Sequence, residues 1–351
     1  MHKYFYGGLV LIWVFIMTAG GYGDAVTPVR PGVKVYSAGS YYNGETEIAC
    51  YWTEAVRTDL PGDGIHHSRA NSIFVSGGAV YTAGSYRSES IACYWTDTIR
   101  TDLFINIYDT TKANSIFISD GSVYVAGSHH DDHDLPCYWT DTIMTDLNVS
   151  KNEPGVYRSA TTAAASSICV SGGTAYVAGN LNEIACYWVG DSRIDLPSNE
   201  KENDWFPSYS DARSIFVSAK KVYTAGFYRD GSKMVSCYWV GKTRIDLPDG
   251  GAKNAWANSI YVSDGKVYVA GAYMKESKWV ACYWMGKNRT DLPVDEGTAE
   301  AFATSIYVRD GNVYTAGTYG NEEKTTACYW VNQTRFDLPG NKGRANSIFV
   351  Q

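Results

Sequence analysis

Cys50-Tyr51-Trp52 is followed, nine residues after its cysteine, by Asp59-Leu60. The same two motifs return, with the same nine-residue offset, at Cys93 and Asp102, Cys137 and Asp146, Cys186 and Asp195, Cys237 and Asp246, Cys282 and Asp291, and Cys328 and Asp337. A period of 43 to 51 residues marks an array of one supersecondary unit. Two further segments recur between these motifs. One is Ser-Ile-aromatic-Val, beginning at Ser72, Ser115, Ser167, Ser214, Ser259, Ser305 and Ser347, with Cys169 in place of one aromatic. The other is Val-Tyr-x-Ala-Gly or close to it, with Tyr36, Tyr81, Tyr124, Tyr176, Tyr223, Tyr268 and Tyr314.

All four segments are short β-branched or aromatic runs between turn residues, and so read as strands. Gly77-Gly78, Asp120-Gly121, Asp264-Gly265 and Asp310-Gly311 suit type I′ hairpins between the first and second strands. Gly190-Asp191, Gly241-Lys242 and Gly286-Lys287 suit Gly-first hairpins between the third and fourth. The unit is a four-stranded antiparallel meander, and seven such units around an axis make an all-β, seven-bladed β-propeller over residues 33–351. The repeat begins with a second strand at Val35 and ends on a lone first strand, Ser347 to Val350. That strand is expected to complete the first blade.

The pattern Ala-x-Ser-Ile-x-Val, Val-Tyr-x-Ala-Gly, Ala-Cys-Tyr-Trp resembles secreted bacterial propeller repeat arrays of unassigned activity. The resemblance implies a fold and export, and no reaction. Tyr94-Trp95-Thr96-Asp97 and Tyr138-Trp139-Thr140-Asp141 spell the motif of lipoprotein-receptor propellers, but five of the seven repeats depart from it.

Residues 1–25 run from Lys3 through an apolar stretch to small residues, the order of a secretory signal peptide. The apolar run is short for a span of about 20 residues. The formal net charge is −7 and no Lys/Arg run occurs, which argues against a nucleic-acid partner. Seven of the eight cysteines occupy one repeat position, too far apart for bridging, and are expected as free packing residues.

Hairpins on one face of the disc have uniform length. On the opposite face, the Gly-to-Cys spacing varies from 7 to 11 residues and the Asp-to-Ser spacing from 10 to 21. Variable loops on a rigid scaffold are where recognition sits. The two longest connections flank the fourth blade and carry Tyr157, Arg158, Trp205, Phe206 and Tyr209, with Arg213 entering beside them; this is the expected ligand surface. Tyr41, Tyr86, Tyr228, Tyr273 and Tyr319 stand two residues after the second-strand glycine and read as structural wedges. A polar ring of Asn71, Asn114, Ser166, Arg213, Asn258, Thr304 and Asn346 is expected to bond backbone or water in the channel. In an extended loop His129, Asp131 and His133 would point to one side, a donor set for a divalent metal and the one cofactor the sequence offers. The repeated aspartates are expected to accept bonds from backbone or from the tryptophan indoles.

No catalytic constellation stands out, and whether the chain is an enzyme is left open by its residues. The first expectation is an exported, non-enzymatic binding module taking a glycan or a protein segment on the variable face. The alternative is a hydrolase or lyase with its site at the channel mouth, metal-assisted or not; a third reading is a structural envelope protein.

Overall fold

A computed structural model describes residues 32–88, 90–103, 110–131, 133–149, 163–198, 209–321 and 323–351. The expected signal peptide at 1–25 lies outside them, as do Tyr157, Arg158, Trp205 and Phe206. The described residues form seven four-stranded antiparallel units with no helix. In the first blade the order from the channel outward is Arg344–Val350, Val35–Tyr42, Glu47–Thr53 and Val56–Asp59. The C-terminal strand thus completes the first blade, and Lys34 and Gln351 exchange backbone hydrogen bonds at 2.8 and 3.0 Å. Blades six and seven are stitched at the variable face by one parallel bridge, between Trp279 and Glu300.

Each repeated residue has a job at a blade boundary. The Trp indoles are buried, and among the described residues six of the seven donate to a carbonyl at the end of the preceding blade, as Trp95 does to Pro61 at 3.0 Å and Trp330 to Pro293 at 2.9 Å. The serine hydroxyl of each first strand accepts the isoleucine amide of the next blade, from Ile116 on Ser72 round to Ile348 on Ser305 and Ile73 on Ser347. Seven such bonds at 3.1 to 3.2 Å run round the ring.

The expected bond from indole to repeated aspartate is corrected by this geometry. The aspartate instead holds its own blade. Asp246 accepts the Tyr228 hydroxyl at 3.1 Å and the Arg244 Nε at 3.0 Å, and the Arg244 guanidinium lies 3.9 Å from the Tyr228 ring centroid. Tyr41, Tyr86, Tyr273 and Tyr319 make the same clip. The wedge tyrosines are therefore pinned by an aspartate below and an arginine above, which takes their hydroxyls out of ligand recognition.

Phe349, Phe74 and Phe117 on one arc, and Phe216, Tyr261 and Tyr307 on the other, form a collar round the channel at neighbour distances of 4.7 to 5.1 Å. Cys169 takes the seventh place. All eight cysteines are free and buried.

Candidate active site at the channel mouth

Every first strand begins with a β-bulge, centred in blade two on Asn71 between Ala70 and Ser72. A bulge bends its strand and re-aims the side chains beside it. Here it turns the carbonyl of Arg69 against Gly84, where any Cβ would collide with that oxygen. The glycine of Val-Tyr-x-Ala-Gly is thus the condition for the bulge.

The residue two places before the bulge stands at the mouth in every blade. Its identity changes round the ring: Arg344, Arg69, Lys112, Ala164, Asp211, Trp256, Phe302. Blades one to three give a basic arc, and blades six and seven an aromatic one.

The polar ring inside this rim mostly serves the backbone, as expected. Asn71 donates to Ala113 O at 2.9 Å, and Asn114, Asn258 and Asn346 do the same to the blade after their own. Arg213 departs from the pattern. Its Nη1 donates to Asn258 Oδ1 at 2.7 Å, its Nε to Asp211 Oδ2 at 3.1 Å, and its guanidinium lies 4.6 Å from the Phe227 ring and 5.4 Å from that of Trp256. Paired and stacked in this way, Arg213 buttresses a wall of aromatics.

That wall crosses three blades. Tyr209 packs on Phe227 at 5.7 Å, Phe227 on Trp256 at 6.3 Å, Trp256 on Trp279 at 4.3 Å and an interplanar angle of 29°, and Trp279 on Phe302 at 5.5 Å. Trp256, Trp279 and Phe302 are half-buried, so part of each ring faces solvent. Of the expected ligand residues, Tyr209 and Arg213 belong to this wall. Phe227, Trp256, Trp279 and Phe302 were missed from sequence; the chemical spread of the mouth position across blades could have found Trp256 and Phe302, whereas Phe227 and Trp279 stand on second and third strands and carry no such signal.

The wall ends at a cavity of about 220 Å³ between blades seven and one, lined by Glu300, Phe302, Thr304, Tyr319, Arg344 and Asn346 among others. Among the described residues Glu300 and Arg344 have no ion-pair partner, although both line it. By contrast Arg69 is tied to Glu47 at 2.8 Å. The Tyr319 hydroxyl donates to Asp337 at 3.0 Å. Burial first, and that bond second, push its pKa up to about 12, so it stays a phenol at neutral pH. Glu300 is the titratable carboxylate the cavity presents.

The metal set is placed differently from the expected single extended loop. Ser122–Asp131 and His133–Thr140 are paired strands, with His133 opposite Asp131 and His129 opposite Leu135. His129 is 6% exposed and its Nε2 lies 2.9 Å from Asp146, so it fills in blade three the place of a clip tyrosine. The side chains of Asp131 and His133 lie outside the described residues, and no group of three metal-ligating side chains occurs among those described.

No protein-family model and no curated protein matches this chain in sequence. Solved structures are similar in fold. One is a puromycin-hydrolysing peptidase from Mycobacterium tuberculosis, at 9% identity and a TM-score of 0.57, over 87% of this chain and 53% of the peptidase. Others are an ulvan lyase (11% identity, TM-score 0.46, 80% of this chain and 81% of the lyase) and the sialidase of Trypanosoma rangeli (11%, 0.41, 92% and 59%). The chain spans about half the length of the peptidase. At these identities the likeness is one of fold, and the fold is a β-propeller. The expectation of a non-enzymatic binding module is nonetheless corrected by this company. These three structures are two hydrolases and a lyase, and the binding-module reading is withdrawn.

Proposed function

We propose that this chain is a hydrolase or lyase acting on a glycan, with its reaction centre in the cavity between blades seven and one. The observation that carries the reading is the aromatic wall running into that cavity. Trp256 and Phe302 stand where other blades carry Arg, Lys, Ala or Asp, so the repeat does not require them there. Partly exposed rings in nearly parallel planes, 17° apart for Trp256 and Phe302, offer apolar surface for the faces of sugars. The platform delivers its ligand to Glu300, an unpaired carboxylate fit for general acid or base work.

Tyr157, Arg158, Trp205 and Phe206, which lie outside the described residues, are kept in the proposed substrate surface with Tyr209. No helix among the described residues is long and apolar enough to cross a membrane. Export through residues 1–25 is part of the same proposal, and rests on their charged, apolar, small order.

The test is chain cleavage across a panel of neutral and acidic polysaccharides. Wild-type protein should shorten at least one. Trp256→Ala should raise KM or lower kcat/KM about tenfold or more with little change in Tm. No cleavage of any glycan, or a Trp256→Ala variant with full activity, would refute the assignment.

A further inference from the structure

Glu300 and Arg344 share one cavity and do not pair. A carboxylate and a guanidinium that leave each other free are each open to a ligand. Arg344 is exposed and its side chain has no hydrogen-bond partner among the described residues, while Arg69 of the rim and Arg213 of the ring inside it are bound to Glu47 and Asp211. Glu47 lies close enough to feel the charge of Arg344, but its two oxygens are taken by Ser40 at 2.6 Å and Arg69 at 2.8 Å.

Among the described residues the cavity lining holds one carboxylate. Glycoside hydrolysis ordinarily uses two, one as acid and one as base or nucleophile. Asp295 and Asp337 lie nearby but are held by Arg335 at 2.8 and 2.9 Å and accept the Tyr319 hydroxyl. One free carboxylate beside one free guanidinium suits a different reaction. Resting on the enzyme reading above, we infer that the substrate is a uronate-containing glycan and that it is cut by β-elimination.

Arg344 binds the uronate carboxylate through a bidentate, charge-assisted contact. That contact disperses charge onto the carboxylate and makes the adjacent C5 proton removable. Glu300 takes the proton. The C5–H electron pair becomes the C4–C5 double bond, the C4–O bond breaks, and the departing oxygen is protonated by the acid form of Glu300 or by water. Atoms and electrons balance with no further reactant. The sugar lies against Phe302 and Trp256 during the step.

The whole protein carries a net charge of −7, which repels a polyanion at long range. Binding of such a chain therefore depends on the local basic arc of Arg344, Arg69 and Lys112.

The experiment uses the full chain with polygalacturonate, alginate, dextran and a sulfated polymer free of uronate. Two readouts are followed, the ultraviolet absorbance of an unsaturated uronate and new reducing ends. The expected result is both signals on a uronate polymer and neither on dextran or the sulfated chain. Arg344→Gln should lose about tenfold or more in kcat/KM, with partial rescue in Arg344→Lys. Glu300→Gln should abolish turnover while still binding the polymer in affinity electrophoresis. New reducing ends without the absorbance would overturn elimination and leave the glycan-hydrolase reading standing. Cleavage of dextran or of the sulfated polymer, or full activity in Arg344→Gln, would overturn the uronate assignment. No cleavage of any polymer would overturn this inference and the enzyme reading together.

Discussion

The Trp52 indole donates to the carbonyl of Pro339 at 3.0 Å, across 287 residues of chain. The last strand is itself fastened between blades seven and two, by the Ile348 amide on Ser305 Oγ and the Ile73 amide on Ser347 Oγ, both at 3.2 Å. Deleting Ser347 to Gln351 removes the Ile73–Ser347 and Ile348–Ser305 bonds and the buried Ile348 and Val350. Each of those side chains contributes about 1.5–3 kcal/mol by burial. Against a typical total of about 5–15 kcal/mol, the truncation should lower Tm steeply. An unchanged melting curve would show that the ring does not depend on its closing strand.

The bulge gives a sharper local test. Gly84→Ala places a methyl group on the Arg69 carbonyl, and Gly317→Ala one on that of Phe302. Strand positions with room accept alanine at little cost; overpacking here should destabilise by about 1–3 kcal/mol or more. Gly317→Ala should also weaken substrate processing, because Phe302 would shift with its backbone. Chemical denaturation of both variants, read beside activity, checks this. Two variants as stable as wild type would mean that the bulge relaxes freely.

Glu47 supplies a pH dependence. Burial alone would raise its pKa, but hydrogen bonds from Arg69 and Ser40 and the charges of Arg69 and Arg344 outweigh burial and hold it below its ordinary 4.5. A depressed folded-state value means the folded protein favours the ion. The resulting stability is present above pH 4.5 and is lost as pH falls through the lower folded value. Glu47→Gln should therefore melt a few degrees below wild type at pH 7, and the gap should close in strong acid. A gap that persists unchanged in acid would assign the loss to shape and not to charge.

Burial pushes the thiols of Cys93, Cys137, Cys237, Cys282 and Cys328 well up, and that of Cys169 up as well. Thiols that stay protonated and covered react slowly. Native protein should resist alkylation over hours. In denaturant without reductant all eight cysteines should be modified, by intact-mass measurement. Any pair of masses missing from that shift would reveal a disulfide and contradict the free-thiol arrangement.

The architecture could be read from the chain because the same physical demands are met seven times. Trp52 and its equivalents need a neighbour's carbonyl, Ser72 and its equivalents need a neighbour's amide, and Gly84 and its equivalents admit a bulge. Repetition exposes such demands. The mouth was harder to read for the converse reason. Trp256, Phe302 and Arg344 matter where they differ from their counterparts, and an exception at one register place carries little weight until the backbone shows which way that place faces. Loop length drew attention to the flanks of blade four, and of that set Tyr209 and Arg213 meet the wall. His129 was read as a metal ligand because histidine and aspartate cluster around it. Its place two residues after Gly127 is a second signal, since in five blades that place belongs to a tyrosine held by an aspartate, and it accounts for the contact with Asp146.

The serine-to-amide ring has one direction: every blade offers the same acceptor to its successor and the same donor to its predecessor. Neighbouring blades are therefore interchangeable at their seams. A unit copied within the gene would arrive already fitted to its neighbours, and the single rim position two places before the bulge could then change in one copy without disturbing the serine-to-amide ring. Scaffold and chemistry are inherited separately in such a molecule, the first by duplication and the second by point substitution at the rim.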